Sequence, residues 1–310
     1  MQALAVVLQE PQRLALERLE LSVPSDGDVV VDVIASGIST GTEKLLWQGR
    51  MPQFPGMGYP LVPGYESVGR VARAAGGLPE GQLVFIPGAK CFGEVRSLFG
   101  GTANKLVVPV SRLTAIDETM GEQGALLALA ATAYHAAPPA FAVPDLIVGH
   151  GVLGRLIARI TVALGNPPPV VWEIEPSRMA GGDGYAVIHP DDDTERRYRC
   201  ICDASGDSLL LDTLISRLGF GGEIVLAGFY AERLSFSFPP AFMCEAKFRI
   251  AAQFTDADTK AVLELVQSGR LSLDGLITHR ANPRDPDAAY RTAFGDSACL
   301  KMILDWSHCA

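Results

Sequence analysis

Much of what would place this chain outside the enzymes is missing from it. It has no basic stripe: 26 Lys and Arg stand against 35 Asp and Glu, a formal net charge of −9, with the two signs interleaved. An acidic chain of that kind carries no electrostatic footprint for nucleic acid, so no nucleic-acid partner is expected. No cationic segment precedes the first apolar stretch, MQALAVVLQEPQRLALERLEL, and acidic residues begin at Glu10, so the start does not read as a signal peptide. No uninterrupted apolar run is long enough to span a bilayer. The longest, around 125–142, contains His135 and is cut by Pro138 and Pro139, so no integral membrane segment is expected. The six cysteines, at 91, 200, 202, 244, 299 and 309, form no CxxC pair. That scatter argues against a disulfide framework and suits reduced thiols in a cytoplasmic protein. Cys200 and Cys202, two apart on one expected strand, read as small buried hydrophobes.

What is present is enough chain for two domains, 310 residues with 48% hydrophobic and 20% charged. Two textures divide it. Up to about residue 128, short alternating apolar runs are broken by Gly and Pro, as in 3–8, 28–34, 67–72 and 82–86. Val29, Val31 and Val33 alternate with smaller or polar partners, which predicts a twisted, mostly antiparallel β domain. From 129 to 252 the runs become solid, as in 145–149, 170–173, 186–188, 200–203 and 223–228, with helical stretches between. Strands without alternation are covered on both faces, which predicts a parallel sheet in βαβ units. Residues 253–310 return to helix, loop and a short strand at 300–304, and are expected to complete the first domain.

Residues 145–154 read DLIVGHGVLG, so Gly149, Gly151 and Gly154 form G-x-G-x-x-G directly after a strand. A helix is predicted next, apolar at 152, 153, 156, 157, 160 and 164, with Arg155 and Arg159 on the other side and a stop at Gly165 and NPPP. The first glycine makes the turn, the second lets backbone approach a pyrophosphate, and the third lets helix and strand pack closely. Val152 and Leu153 open the helix, whose N-terminus would face the phosphates. The second strand ends in Glu173, 19 residues after Gly154, where an acid grips a ribose 2′-OH and repels a 2′-phosphate. NAD is therefore favoured over NADP, although Arg178 nearby would suit a phosphate. Asp203 and Ala204, with Ala227, Gly228 and Phe229, end later strands at the carboxyl edge where a ligand crevice forms.

These parts in this order resemble the medium-chain alcohol dehydrogenase superfamily over nearly the whole chain. LVPGYESVGRV is similar to its PGHE-type segment, ASGISTGTEK to its GIC-type segment, LLALAATAYHA to the stretch entering the interdomain helix, and GRLSLDGLITHR to its LITH segment. The resemblance implies an α/β fold, a GroES-like β domain (1–128 and 253–310) with a Rossmann doubly wound parallel sheet (129–252) inserted. It also exposes departures. The family's catalytic zinc ligands map to Ser39, Tyr65 and Ala128, and its structural zinc lobe is reduced to Cys91. A hydroxyl, a phenol and a methyl do not make a Zn²⁺ site, so no metal is expected. The run GISTGTEKLLWQGRMPQFPGMGYPLVPGYE is similar to the zinc-free branch that serves bacteriochlorophyll synthesis. That implies a tetrapyrrole substrate whose 1-hydroxyethyl group is oxidised to acetyl, with NAD⁺ accepting hydride. A zinc-free dehydrogenase or reductase for another alcohol or enone, and a non-catalytic dinucleotide-binding regulator, stay open beside it. A homodimer also stays open.

Without zinc, the proton lost with the hydride needs a protein acceptor. The resemblance points to the loop of Ser39, Thr40, Thr42 and Lys44, with Tyr65 and Glu66 opposite; Gly41 stands where the family has a relay hydroxyl, and Lys44 where it has a relay histidine. His135 is an alternative base, although its Ala-rich helical neighbours suit a core histidine. Lys301, in CLKMILDW, matches a position that contacts the cofactor pyrophosphate. His150 and His279 read as structural. The 47–59 segment holds Trp47, Arg50, Met51, Phe54, Met57 and Tyr59. So apolar a stretch needs a surface to cover, which is either its own domain or a flat substrate.

Overall fold

The computed structural model describes residues 1–53 and 55–309, so Phe54 of the 47–59 segment lies outside the described residues. The chain forms two compact units, Met1–Ala128 with Leu276–Ala310, and Leu129–Gly275. In the first, the strand Asp28–Ile38 is the pivot. It pairs antiparallel with Ser67–Val71, Lys105–Pro109 and Met302–Asp305, within a seven-stranded sheet that also contains Leu83–Ile86, Thr114–Ala115 and His279–Ala281. Val29, Val31 and Val33 are buried while Asp32 faces solvent, as the alternation predicts. A second sheet orders Arg13–Glu20, Gln2–Glu10, Leu61–Pro63 and Arg96–Leu98. Apolar faces of both contribute to one core, where Val6, Val31, Leu106 and Leu304 meet. Cys91 is buried in that same core.

Register does the positioning. Ile38 lies opposite Met302, and Ser36 opposite Ser67. The residues just beyond these pairs, Ser39, Glu66 and Lys301, therefore emerge at one end of the sheet.

The second unit carries a six-stranded sheet, parallel at every pairing. Its order is Ala186–Ile188, Val170–Trp172, Leu146–Val148, Tyr198–Asp203, Leu218–Leu226, Lys247–Ile250. Counted along the chain this is 3-2-1-4-5-6, the doubly wound dinucleotide-binding order. The sixth strand was not among the expected ones. After Leu146–Val148 the helix Val152–Ala163 buries Leu156, Ile157 and Ile160. Each such side chain contributes roughly 1.5–3 kcal/mol.

Two expectations need correcting. Arg155 does not lie on an outer helix face: it is buried, and its guanidinium donates to the carbonyls of His150, Arg178, Ala180 and Gly181. A five-donor group is suited to satisfying a carbonyl-lined loop. The return to the first unit comes at Leu276 rather than at 253. The helix Asp256–Gln267 is tied to the second unit by Asp258, which accepts from His135 Nδ1 at 2.9 Å. Arg159 adds bonds to the carbonyls of Ser272 and Asp274. Among the described residues no helix is long and apolar enough to cross a membrane.

Candidate active site

At the end of the pivot strand, Ser39 Oγ and Tyr65 Oη lie 2.7 Å apart. Ser39 is almost fully buried and Tyr65 half-buried. The Thr42 hydroxyl also bonds Tyr65. Burial, reinforced by the Glu66 charge, raises the Tyr65 phenol above its ordinary value, so it acts as a neutral hydroxyl and not as a phenolate base. The two hydroxyls at the zinc-ligand positions are thus bonded to each other, and Ala128 offers only a buried methyl. This donor set does not fit Zn²⁺. Among the described residues no three His, Cys, Asp or Glu side chains gather as a metal would require.

Beneath the pair, Glu66 and Lys301 are fully buried, with Lys301 Nζ 2.5 Å from Glu66 Oε2 and 3.1 Å from the Ile38 carbonyl. Lys301 was expected at a pyrophosphate; instead its strand register delivers it to Glu66 as a counter-ion. Glu66 Oε1 is buried with no hydrogen-bond partner.

One member of this cluster was missed from sequence. Glu43 turns inward from the first turn of the helix Thr42–Gln48 and is 1% exposed. Its Oε1 accepts from the Ser39 amide at 3.0 Å and its Oε2 from the Tyr290 hydroxyl at 2.7 Å. Burial pushes its carboxyl up to about 7, against the lowering effect of those two donors.

Other expected members go elsewhere. Thr40 is half-buried in the loop. Lys44 donates from Nζ to the Phe294 carbonyl at 3.1 Å, in the last turn of the helix Pro286–Gly295, where a cation suits the helix dipole. His135, in the second unit, is held by Asp258 at 2.9 Å. In the 47–59 segment, Met51 is buried with Leu8, Leu46, Leu61 and Leu98, and Trp47, Met57 and Tyr59 pack on that cluster. Tyr59 Oη donates to the Leu46 carbonyl at 2.6 Å, and Arg291 stacks over the Trp47 ring. These four side chains cover their own domain; Arg50 is exposed.

In the second unit the glycine motif has the expected shape. Gly149 has φ +95°, and a Cβ at Gly154 would collide with the Gly149 carbonyl oxygen, so only glycine fits either place. A Cβ at Gly151 would meet nothing, leaving the space a pyrophosphate requires beside Val152 and Leu153. Glu173 is buried at the end of Val170–Trp172: Oε2 accepts from the His150 amide, and Oε1 from those of Ile174 and Glu175. Three backbone donors hold the carboxylate in one orientation. His150 is buried between the Arg178 carbonyl, 2.7 Å from Nδ1, and the Tyr185 hydroxyl, 2.9 Å from Nε2. Burial lowers it to about 4, so neutral Nδ1–H donates to the carbonyl and Nε2 accepts from Tyr185. Asp203 does not present its carboxylate to a ligand. It is fully buried, accepting from Ser205 and Tyr230, and shapes the turn containing Ala204. Ala227 is buried, Gly228 half-buried and Phe229 exposed after Leu218–Leu226.

Residues 25–118 match the family model described as alcohol dehydrogenase GroES-like domain. Over 310 residues, 99% of each chain, the protein is 55% identical to 2-desacetyl-2-hydroxyethyl bacteriochlorophyllide A dehydrogenase of Rhodobacter capsulatus. It is 54% identical, again over 99% of each chain, to the protein of that name from Cereibacter sphaeroides. Among solved structures, L-idonate 5-dehydrogenase from Escherichia coli superposes with a TM-score of 0.85 at 20% identity, over 98% of each chain. Complexes of this fold hold NADH or NAD in some cases and NADP in another. The chain belongs to the family of the bacteriochlorophyllide dehydrogenases, medium-chain alcohol dehydrogenases built from a GroES-like β domain and a Rossmann domain.

Proposed function

We propose that this protein oxidises the 1-hydroxyethyl group of a bacteriochlorophyll precursor to an acetyl group, passing the hydride to NAD⁺. The observation that carries this is its 55% identity, end to end, with a dehydrogenase whose name states a hydroxyethyl bacteriochlorophyllide. Ser39 and Tyr65 support the chemistry. Each hydroxyl can accept as it donates, so the pair can take a hydrogen bond from the substrate alcohol and relay its proton through half-buried Thr42 to solvent water as the hydride leaves. Glu66 with Lys301 sets the field beneath them.

Gly149, Gly151, Val152, Leu153, Gly154, Ala204, Gly228 and Phe229 would hold the dinucleotide, and Glu173 its ribose, with Arg178 beside it. Bound there, the cofactor supplies the hydride acceptor. Glu173 supports NAD over NADP, because a fixed buried carboxylate repels a 2′-phosphate. From the 47–59 segment, half-buried Met57 and Tyr59 and exposed Arg50 would meet a flat macrocycle and its carboxylate. A tetrapyrrole offers several hundred Å² of apolar surface, and at roughly 25 cal/mol per Å² stacking contributes most of its binding.

The assembly we propose is a homodimer through the edge strand Lys247–Ile250. Around it Phe220, Phe238, Phe242, Met243 and Ile250 are each about two-thirds exposed or more. At roughly 200 Å² per large side chain they offer about 700 Å², close to one partner's share of a standard interface. The six free cysteines support a cytoplasmic location.

The test is NAD⁺ reduction by purified protein with a 3-(1-hydroxyethyl) chlorin. The expected result is one NADH per 3-acetyl product and a red-shifted long-wavelength band. Brisk turnover of small secondary alcohols with none of the chlorin would refute the substrate assignment and leave the family intact.

A further inference from the structure

The buried cluster under the hydroxyl pair contains two carboxyls and one ammonium, and its charges do not balance. Glu66 is held by Lys301 at 2.5 Å. Among the described residues Glu43 has no cation in contact, only the Ser39 amide and the Tyr290 hydroxyl. The groups that face it are Tyr290 from the helix Pro286–Gly295, Glu66 ahead of the strand Ser67–Val71, Lys301 ahead of Met302–Asp305, and Tyr65 beside Ser39. When both carboxyls are ionised the cluster carries one uncompensated negative charge in a water-excluded space. The next proton to enter therefore goes to Glu43.

We propose that Glu43 is a positioning residue for the Ser39–Tyr65 pair, and that only its ionised form holds the pair ready to take the substrate's proton. The claim rests on the dehydrogenase reading above. Ionised Glu43 accepts at both oxygens, one donor each, which fixes the Ser39 amide and so the direction of Ser39 Oγ towards Tyr65. Its negative charge, one backbone link from that hydroxyl, also favours a proton arriving on the pair. A proton taken up from solvent at Oε2 turns that atom from acceptor to donor. The Tyr290 hydroxyl can then no longer donate to it and has to rotate, the Ser39 anchor weakens, and the assisting charge is lost. Burial pushes the Glu43 carboxyl up to about 7, which puts this change near neutral pH.

Glu43→Gln keeps both contacts, since the amide oxygen accepts from Ser39 and the amide nitrogen donates to Tyr290, but it cannot ionise. Tyr290→Phe removes one donor to the carboxylate, disfavours the charged form and leaves the fold's apolar packing in place. The experiment measures kcat and KM against pH for wild type and both variants with NAD⁺ and a hydroxyethyl chlorin, alongside the infrared C=O stretch of the buried protonated carboxyl. In wild type kcat should fall about tenfold per unit on the acid side of about pH 7, the carboxyl band appearing over the same range. Glu43→Gln should lack both the band and the acid limb, its kcat staying roughly tenfold or more below the wild-type alkaline plateau, with KM for NAD⁺ unchanged. Tyr290→Phe should move limb and band together to higher pH. The proposal is overturned if Glu43→Gln keeps the wild-type limb, if the band survives in it, or if Tyr290→Phe leaves both unmoved. Absence of turnover with the chlorin would sink the dehydrogenase reading instead; the infrared titration would still decide for or against Glu43 as the titrating carboxyl.

Discussion

Replacing Lys301 with Met removes the one ammonium facing Glu66 while keeping the volume of the aliphatic stem. Both groups are 0% exposed and their charged atoms are 2.5 Å apart. At an effective dielectric of 20 the gross attraction across that distance is about 7 kcal/mol. The net loss is smaller, because Glu66 can escape an uncompensated buried charge by taking up a proton. That escape costs about 1.4 kcal/mol for each pH unit above the ordinary Glu value of about 4.3. The expected destabilisation is therefore capped near 5 kcal/mol at about pH 8 and near 2 kcal/mol at about pH 5.5, overlapping the 3–5 kcal/mol typical of a broken buried pair. The sign follows from linkage. In the variant the folded state binds a proton that the unfolded state has released, so its stability falls as pH rises above about 4.3. Glu66 Oε1 already lacks a partner, so no spare donor is at hand to soften the loss. The assay is urea unfolding at the two pH values, followed by aromatic fluorescence of the first unit, which contains Trp47 and Trp306. Glu66→Gln/Lys301→Met should recover much of the stability at the higher pH, since it leaves no buried charge. A loss below about 1 kcal/mol at pH 8, or one independent of pH, would refute the view that this pair is desolvated and mutually dependent.

Three further outcomes are expected. Glu173→Ala should weaken NAD binding roughly 10–100-fold and narrow its margin over NADP in calorimetric titrations, since a charge-assisted hydrogen bond of about 1.5–3 kcal/mol is lost; an unaltered ratio would mean that Glu173 does not read the ribose. Tyr65→Phe should lower kcat roughly a hundredfold with little change in NAD affinity, and wild-type turnover across pH would remove Tyr65 from the proton path. Phe242→Glu should turn a dimer into a monomer in sedimentation velocity at micromolar protein; a wild-type monomer, or a variant that still dimerises, would rule out the edge-strand interface.

Fold was legible where a local pattern carries it. Alternation at Val29, Val31 and Val33 marked a half-covered strand, and solid runs such as Leu146–Val148 marked strands covered on both faces. Lys247–Ile250 escaped because KFRI carries two cations in four residues, so no apolar run shows. Arg13–Glu20, at a sheet edge, has only the short apolar run Leu14–Leu16 before mixed charges. The junction drawn at 253 came from a change in texture, whereas the helix Asp256–Gln267 is amphipathic and would suit either unit. Only the long-range bonds of Asp258 and Arg159 decide which.

The glycine motif and the hydroxyl cluster differ in legibility for the same reason. The glycine motif and Glu173 act through a turn and the next strand, so their spacing along the chain is their geometry. The hydroxyl cluster is assembled by register. Glu66 and Lys301 are 235 residues apart and Glu43 and Tyr290 are 247 apart, joined only because Asp28–Ile38 pairs on both sides. Lys301 was assigned to a pyrophosphate by the family resemblance of CLKMILDW, yet a fully buried ammonium is committed to the acceptors that made its burial tolerable. The apolar 47–59 segment shows the converse: composition says that a surface must be covered, and Leu8, Leu46, Leu61 and Leu98 supply one from the same domain. Glu43 is the sharpest case. In the sequence it is an acid in the first turn of a short helix, where the dipole alone accounts for a carboxylate. Burial against other elements pushes this helix-start acid up to about 7, although the Ser39 amide and the Tyr290 hydroxyl that fix its orientation pull the other way.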